Sequence, residues 1–484
     1  MKASMVGCSP KGKADSAMRS LKIVLPVHVF FPEHFYGTET YTLQLAQCLR
    51  EMGHRPTILT SVLYGEKGRG GACYTYEYDG FEVDCIDQNS QPLTHYRQLH
   101  RRADLYPLIQ EIFRKREPDL VHVTHLMGHT GVLLEVIRDM GLPAVATLTD
   151  FYGICPNSKL MRYDESLCTG PNRRSTNCLA CYIREHEYEF VHRRALARAI
   201  QKNRSLKWAA RLLPIAASLP GFRRSIIADR IDAVRERRAY LRPLYAVYKR
   251  MITPTALLHD AYVRNGFYPE RLRKIHFGID LDVVKPFRKH PARIPSPLTF
   301  GYIGQITPHK GVDLVVAAFA GLRADNARLL LFGPRDQQPG YMAKIEKTAS
   351  GNPHIQFRDT FPADRLGQVL SEIDVLVIPS RWYENSPLVM LYALASKTPV
   401  IATDMKGMSE FVIDGWNGFT FQKDSMAALR ENMQRLLDRS DLWRELCENA
   451  DYTMSVRDHA REVEAIYRDV LRENGSSVEK ATRP

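Results

Sequence analysis

Short apolar runs alternate with amphipathic stretches along the chain, and the alternation repeats from about residue 21 almost to the end. Residues 21–30 are apolar apart from Lys22 and His28 and read as a buried strand, while 38–52 put apolar positions on one helical face that stops at Gly53. Strand 56–61, helix 105–115, strand 120–123, helix 131–140 and strand 144–149 continue the order. Such alternation predicts a doubly wound, largely parallel sheet. A second set begins at 248–253, continues through a helix ending at Asn265-Gly266 and a segment at 274–280, and crosses a Pro-containing linker at 285–297. Strands around 298–303, 328–332, 355–357, 373–378 and 400–403 follow. The pattern therefore predicts an α/β protein of two Rossmann-like domains, 21–250 and 251–454, with a tail at 1–20 and a last helix and tail at 455–484.

Length agrees, since 484 residues exceed one core and suit two domains of roughly 200 to 250 residues. No apolar run approaches the ~20 residues of a membrane span, and residues 1–20 have no apolar core of a signal peptide. A cytoplasmic setting is expected. The nine cysteines are then expected as reduced thiols, with metal ahead of disulfide for any cluster.

Charge changes the picture in one place. Residues 184–250 hold seventeen Lys and Arg against six Asp and Glu, which is most of the chain's net charge of +13. Inside that stretch an apolar patch from Trp208 to Phe222 is edged by Lys207, Arg211, Arg223 and Arg224. Two readings stand: a basic helical surface on anionic lipid, and an ordinary solvated helical hairpin. Nucleic acid is not expected, because no base-reading motif accompanies the charge.

Candidate chemistry sits at predicted strand ends, where ligands of parallel sheets collect. After the apolar run 373–378, polar residues 380–386 lead to Pro387 and a helical pattern containing Leu388, Leu391 and Ala395. That order of strand, loop and helix hands free N–H groups and a positive dipole end to a phosphate. Glu384 lies in the loop, as a helix cap or a ligand-facing acid. Lys310 follows a strand broken at Gly304 and is a point charge suited to phosphate. Gly37, just before the first helix, permits close backbone approach or simply turns the chain. His125 and Asp150 lie just past the ends of their strands.

Cys155, Cys168, Cys178 and Cys181 form C-x12-C-x9-C-x2-C. Four soft ligands with one C-x2-C knuckle suit tetrahedral zinc; a redox dithiol and unligated thiols are the alternatives. The remaining five cysteines are scattered.

Taken together, Gly37-Thr38-Glu39-Thr40, Gly304-Gln305 through Lys310-Gly311, the block 379–402 and Gly407-Met408-Ser409-Glu410 resemble the family 4 retaining glycosyltransferases, which have the two-domain GT-B fold. The segment 150–181 resembles a cysteine-bearing branch of that family. The resemblance implies a nucleotide-diphosphate sugar in the cleft and a last helix crossing back to the first domain. It implies that Glu384 touches the transferred sugar. Lys310, Gly37, Thr38, Gly304, Gln305 and the backbone near Asn385, Ser386 and Leu388 would hold the diphosphate without a catalytic metal. Three positions depart from the pattern. Tyr392 stands where a second glutamate grips the ribose, Gln305 where an arginine accompanies the lysine, and Thr149 where many relatives carry histidine, whose work His125 or Asp150 would take over.

The expected activity is hexose transfer, with retention, to a surface-polysaccharide or lipid-linked saccharide, at the inner face of the membrane. A nucleotide-sugar epimerase on the same fold and a non-catalytic membrane scaffold are the alternatives.

Overall fold

A computed structural model describes residues 19–91, 93–162, 166–185, 226–323 and 326–481. The tail expected at 1–20 lies, apart from Arg19 and Ser20, outside the described residues. So does the part of the basic stretch at 186–225 that carries the apolar patch.

Eight strands form the first sheet: β1 (Lys22–Pro26), β2 (Arg55–Val62), β3 (Cys73–Tyr78), β4 (Phe81–Asp87), β5 (Leu120–Val123), β6 (Ala144–Thr147), β7 (Arg250–Thr253) and β8 (Leu272–Lys274). Their order is β3-β4-β2-β1-β5-β6-β7-β8, parallel throughout except between β3 and β4. Central β1 is flanked on both sides, Val24 lying opposite Thr57 and Val121, so its apolar residues are buried. The hairpin β3–β4 turns at Asp79-Gly80, both with positive φ (52° and 72°). Asp-Gly is a strong hairpin signal.

The second sheet is β9 (Leu298–Ile303), β10 (Ala327–Phe332), β11 (Ile355–Arg358), β12 (Val375–Ile378), β13 (Val400–Thr403) and β14 (Gly418–Phe421). Its order is β11-β10-β9-β12-β13-β14, all parallel. One boundary needs correction. The sequence pattern assigns 248–253 to the second sheet, but β7 pairs with β6 (Val145 opposite Arg250) and β8 with β7, so the first domain extends to about residue 275. An apolar strand looks alike in either sheet, and pairing decides its membership.

The helix Val456–Ala481 returns to the first domain, as expected. Its Val463, Tyr467 and Val470 join one buried cluster with Ile23 and Leu45 of the first domain and Leu391 of the second. Through that cluster runs a hydrogen-bonded chain whose proton directions are fixed at one end. The His276 carbonyl can only accept, so His459 Nδ1–H donates to it at 2.8 Å, and His459 Nε2 accepts from Tyr41 O–H at 3.1 Å. Tyr41 Oη then accepts from Thr147 O–H (2.9 Å), Thr147 from His122 Nε2–H (2.8 Å), and His122 Nδ1 from Tyr467 O–H (2.6 Å). Both histidines are neutral in this arrangement. Burial, chiefly, lowers His122 to about 3 and His459 to about 4.

Stability follows from the sign of those shifts. Unfolding frees both imidazoles to titrate near 6.5, so below that pH the unfolded chain binds more protons than the folded one. Their contribution is complete above about pH 6.5 and is lost as pH falls toward 4. In urea unfolding across that window, His459→Asn should flatten the fall in stability by about 1.4 kcal/mol per pH unit relative to the parent. An unchanged slope would contradict the buried neutral chain.

Candidate functional site

Lys310 and Glu384 come from different strand ends, and the intervening backbone leaves them little freedom. Lys310 closes a tight turn, Pro308–Lys310, after β9. Arg381 N donates to the His309 carbonyl (2.8 Å) and its guanidinium to the Pro308 carbonyl (2.8 Å), tying the turn to the loop that follows β12. Gly311 continues with φ 72°, and a Cβ there would stand 2.0 Å from the Pro379 carbonyl oxygen. Gly407 plays the same part on the other side, where a Cβ would stand 2.0 Å from the Glu384 carbonyl oxygen. Close backbone contact at both glycines is what brings the Lys310 turn, the Glu384 loop and the 405–410 turn together.

Three donors converge on one oxygen of Glu384: Lys310 Nζ (2.6 Å), Ser380 Oγ (2.6 Å) and Trp382 Nε1 (2.7 Å). Burial alone pushes the carboxyl up. The lysine charge and the three donors outweigh it, and the acid is held below its ordinary range. Glu384 is therefore an anion at neutral pH, matched by a single ammonium. The neighbouring cation is already engaged: Arg381 bridges Asp313 and Asp424, each at 2.6 Å. His309 is lowered to about 4, by burial first and then by nearby Lys310 and Lys159.

The loop then enters the helix Leu388–Ala395. Ser386 adopts φ 55°, and its buried hydroxyl has no hydrogen-bond partner. The first-turn N–H groups at Leu388 and Val389 have no intrahelical acceptor, as at any helix start. The unpartnered hydroxyl thus lies two residues before the helix start. The Asn385 side chain goes elsewhere: its Nδ2 donates to the Thr149 carbonyl (2.9 Å) and its Oδ1 accepts from Thr255 Oγ1 (2.9 Å), so it ties the loop to the first domain. Glu410 likewise accepts from Ala256 N (2.6 Å) and Leu257 N (3.0 Å), capping a first-domain helix from the second. Gln305 contributes its carbonyl to Tyr302 Oη (2.6 Å), and Gly304 ends β9 with φ 154°. Tyr392 is buried, its Oη accepting from Gln44 Nε2 (3.4 Å) across the cleft and from Asp280 N (3.2 Å).

On the first-domain side, Gly37 opens its helix with nothing within 4 Å of where a Cβ would stand, and the Thr38 carbonyl accepts from Thr42. His125 Nδ1 accepts from Met127 N (3.1 Å), which leaves Nε2–H to donate to Asp150 Oδ2 at 2.9 Å. Burial would raise Asp150, but His125 and the Tyr152 amide bring it below the ordinary value. The His28 ring stacks on His125 (4.0 Å between centroids), and His28 Nε2 lies 3.3 Å from Glu39. His28 Nδ1 and Glu39 Oε2 are buried and unpartnered. Neither residue stands out in the sequence. The signal present there was a histidine inside the apolar run 21–30 and an acid two residues after Gly37.

The four cysteines expected to hold zinc do not form a closed metal set among the described residues. Cys178 is pushed up by burial first and then by Cys155, Cys168 and Cys181, so the thiols are near enough to repel when charged. Cys155 Sγ instead donates to Asn157 Oδ1 (2.6 Å). Among the described residues no three His, Cys, Asp or Glu side chains stand close enough together to hold a metal. The donor chemistry suits zinc; the ligand geometry expected for it is not assembled.

The described part of the basic stretch packs partly inward. The helix Ile226–Leu244 buries Ala228, Ile231 and Val234 against Tyr96 and Leu179, Arg230 lies over the Tyr96 ring, and buried Arg237 donates to the Tyr152 carbonyl. No helix among the described residues is long and apolar enough to cross a membrane.

Two Rossmann-like domains with a last helix that returns to the first define the GT-B class. Residues 35–213 match the family described as Glycosyltransferase Family 4, and 297–439 match Glycosyl transferases group 1. The chain belongs to the family 4 glycosyltransferases. It is 31% identical over 150 residues to an uncharacterised glycosyltransferase of Methanocaldococcus jannaschii, covering 31% of this chain and 40% of that one. It is 30% identical over 190 residues to a D-inositol 3-phosphate glycosyltransferase of Nocardia farcinica, covering 37% and 42%. The matches thus span about two fifths of these curated relatives. Among solved structures, a glycosyltransferase of Rickettsia africae superposes with TM-score 0.61 at 15% identity, over 94% of this chain and 99% of that one. Anabaena HepE in complex with UDP gives 0.61 at 14%, over 93% and 100%. These likenesses establish the fold.

Gly311→Ala should lower stability in urea unfolding by at least the roughly 1–2 kcal/mol of a left-handed backbone at a non-glycine residue. An unaltered midpoint would contradict the contact with Pro379.

Proposed function

We propose that the protein is a retaining hexosyltransferase that takes its sugar from a nucleotide diphosphate and delivers it to a saccharide, of the surface-polysaccharide or lipid-linked kind. The observation that supports this best is the ion pair of half-buried Lys310 and buried Glu384, the latter in the loop that carries the unpartnered Ser386 hydroxyl into a helix start. A diphosphate would draw Lys310 from Glu384 and sit on the first-turn N–H groups of Leu388 and Val389, with the Gly37-Thr38 turn facing it from the other domain. Gly304 and Gln305 would line the same edge. Glu384, released, would accept from hydroxyls of the transferred sugar. As the glycosidic bond breaks, charge grows on the leaving phosphate oxygen, where fixed donors stabilise it most. Tyr392 would contact the ribose through a hydroxyl rather than a carboxylate.

The acceptor would approach past His125 and Asp150. Their hydrogen bond orients the imidazole beside the path of the acceptor. Attack from the leaving-group face, with the departing phosphate taking the proton, gives retention without the two-carboxylate displacement. That HepE binds UDP supports a nucleotide-diphosphate donor, and the structural likeness to WaaG, a glycosyltransferase involved in lipopolysaccharide biosynthesis (TM-score 0.51), is compatible with a saccharide acceptor. For Cys155, Cys168, Cys178 and Cys181 we retain zinc, with a structural role holding residues 155–181. For 184–250 we retain contact with an anionic membrane surface at the cytoplasmic face.

Lys310→Ala should weaken nucleoside diphosphate binding by more than tenfold, about 1.4 kcal/mol or more, measured by calorimetry. Incubation of a panel of nucleotide-sugars with saccharide acceptors, followed by NMR of the anomeric proton, should give a product with the donor's configuration. Donor isomerised without acceptor would replace this reading with an epimerase. No nucleotide binding at all would leave a scaffold. Metal analysis should find about one zinc per chain, lost in Cys178→Ser; a metal-free parent protein would remove that role.

A further inference from the structure

His125 and Asp150, past which the acceptor is proposed to approach, have little bonding capacity left for it. The His125 ring accepts at Nδ1 from the Met127 amide and donates from Nε2 to Asp150, so both of its nitrogens are taken. Asp150 also accepts from the Tyr152 amide, at 2.8 Å. A sugar hydroxyl needs other partners.

They stand at the adjoining strand end. β1, β5 and β6 are neighbours in the first sheet, and His28, His125 and Asp150 lie two or three residues beyond their respective carboxyl ends. Ligands of parallel sheets collect along such an edge. His28 stacks on His125 and brings its Nε2 to 3.3 Å from Glu39 Oε1, while Glu39, in the first turn of the helix Gly37–Glu51, is only 2% exposed. The edge also adjoins the donor loop, because the Thr149 carbonyl, one residue before Asp150, accepts from Asn385 Nδ2 (2.9 Å).

Two atoms of this pair are left over. His28 Nδ1 and Glu39 Oε2 are buried and have no hydrogen-bond partner. Burial, chiefly, keeps His28 neutral, so the ring carries one hydrogen, and the carboxylate beside Nε2 favours it there. Nδ1 is then a bare lone pair, and Oε2 of the carboxylate is another. Burying an acceptor without a donor is costly, and both lack a hydrogen rather than a lone pair. Phosphate and carboxylate oxygens bring only further lone pairs, whereas hydroxyl groups bring hydrogens. The pair therefore matches a neutral polyol.

We propose that Glu39 and His28 form an acceptor subsite: they accept hydrogen bonds from saccharide hydroxyls next to the attacking one, with His125 and Asp150 as its fixed wall. This rests on the transferase reading above. The attacking hydroxyl keeps its own proton for the departing phosphate, so Glu39 holds the acceptor and takes no part in bond making. An acceptor with a phosphate next to the attacked position is selected against.

Transfer kinetics of the full-length protein test it. The donors are UDP-glucose, UDP-galactose, UDP-N-acetylglucosamine and GDP-mannose, and the acceptors are nitrophenyl hexosides, each also made without one ring hydroxyl. Glu39→Gln, which keeps the size and loses the carboxylate, should lower kcat/KM for the acceptor at least tenfold and leave the donor KM and the thermal midpoint unchanged. Removing the hydroxyl that Glu39 holds should cost the parent about tenfold, the worth of one hydrogen bond to a charged group, and cost Glu39→Gln almost nothing. His28→Phe, which keeps the stacked ring without Nδ1, should be blind to a neighbouring hydroxyl in the same way, and it serves where Glu39→Gln does not fold. Losses that multiply for every deoxy acceptor would overturn the subsite, as would donor and acceptor KM rising together. If the parent transfers to no acceptor, the transferase reading fails first and the subsite with it.

Discussion

The ion pair between Lys310 and Glu384 is the contact on which the site depends. Each partner lies beyond the carboxyl end of a different parallel strand, and Glu384 is buried where little water reaches its charge. Burying either alone would cost several kcal/mol; together, with Ser380 and Trp382 on the same carboxylate oxygen, they form a compact neutral group. Such a pair is a store of exchangeable contacts. On the reading proposed above, a phosphate would take the lysine and hydroxyls of the sugar would take the acid, each half of the donor replacing one side of the pair.

Around that pair the molecule is arranged to keep two domains in register. Asn385 and Glu410 reach from the second domain to the Thr149 carbonyl, Thr255 and the start of a helix in the first. The last helix returns through a buried chain of neutral hydroxyls and imidazoles from Tyr467 to the His276 carbonyl. These are directional bonds in a low-dielectric setting, where misalignment costs more than in water. They fix the spacing of the cleft more narrowly than apolar packing would.

Much of this was legible in the sequence because βα periodicity and strand-end polarity are local. The strand 120–123 and the loop carrying Glu384 needed only their own residues to be read. Sheet membership was not legible: Met251 and Ile252 are apolar whichever sheet they join, and only pairing with β6 assigns them. The hairpin at Asp79-Gly80 carries a local turn signal but lies outside the βα pattern. Asn385 was expected to serve through its backbone, but its side chain reaches a carbonyl 236 residues away in sequence. His28 and Glu39 went unnoticed for a similar reason, since a polar residue inside an apolar run has meaning only once its partner is known. Spacing of the cysteines cannot say whether thiols face a metal or, as Cys155 does, a neighbouring amide.

The most direct measurement is a crystal structure of the protein with a nucleoside diphosphate bound. The account predicts phosphate oxygens against Lys310 Nζ, the Ser386 hydroxyl and the Leu388 and Val389 amides, with the bond from Lys310 to Glu384 broken. A nucleotide held elsewhere, with that bond intact, would contradict it.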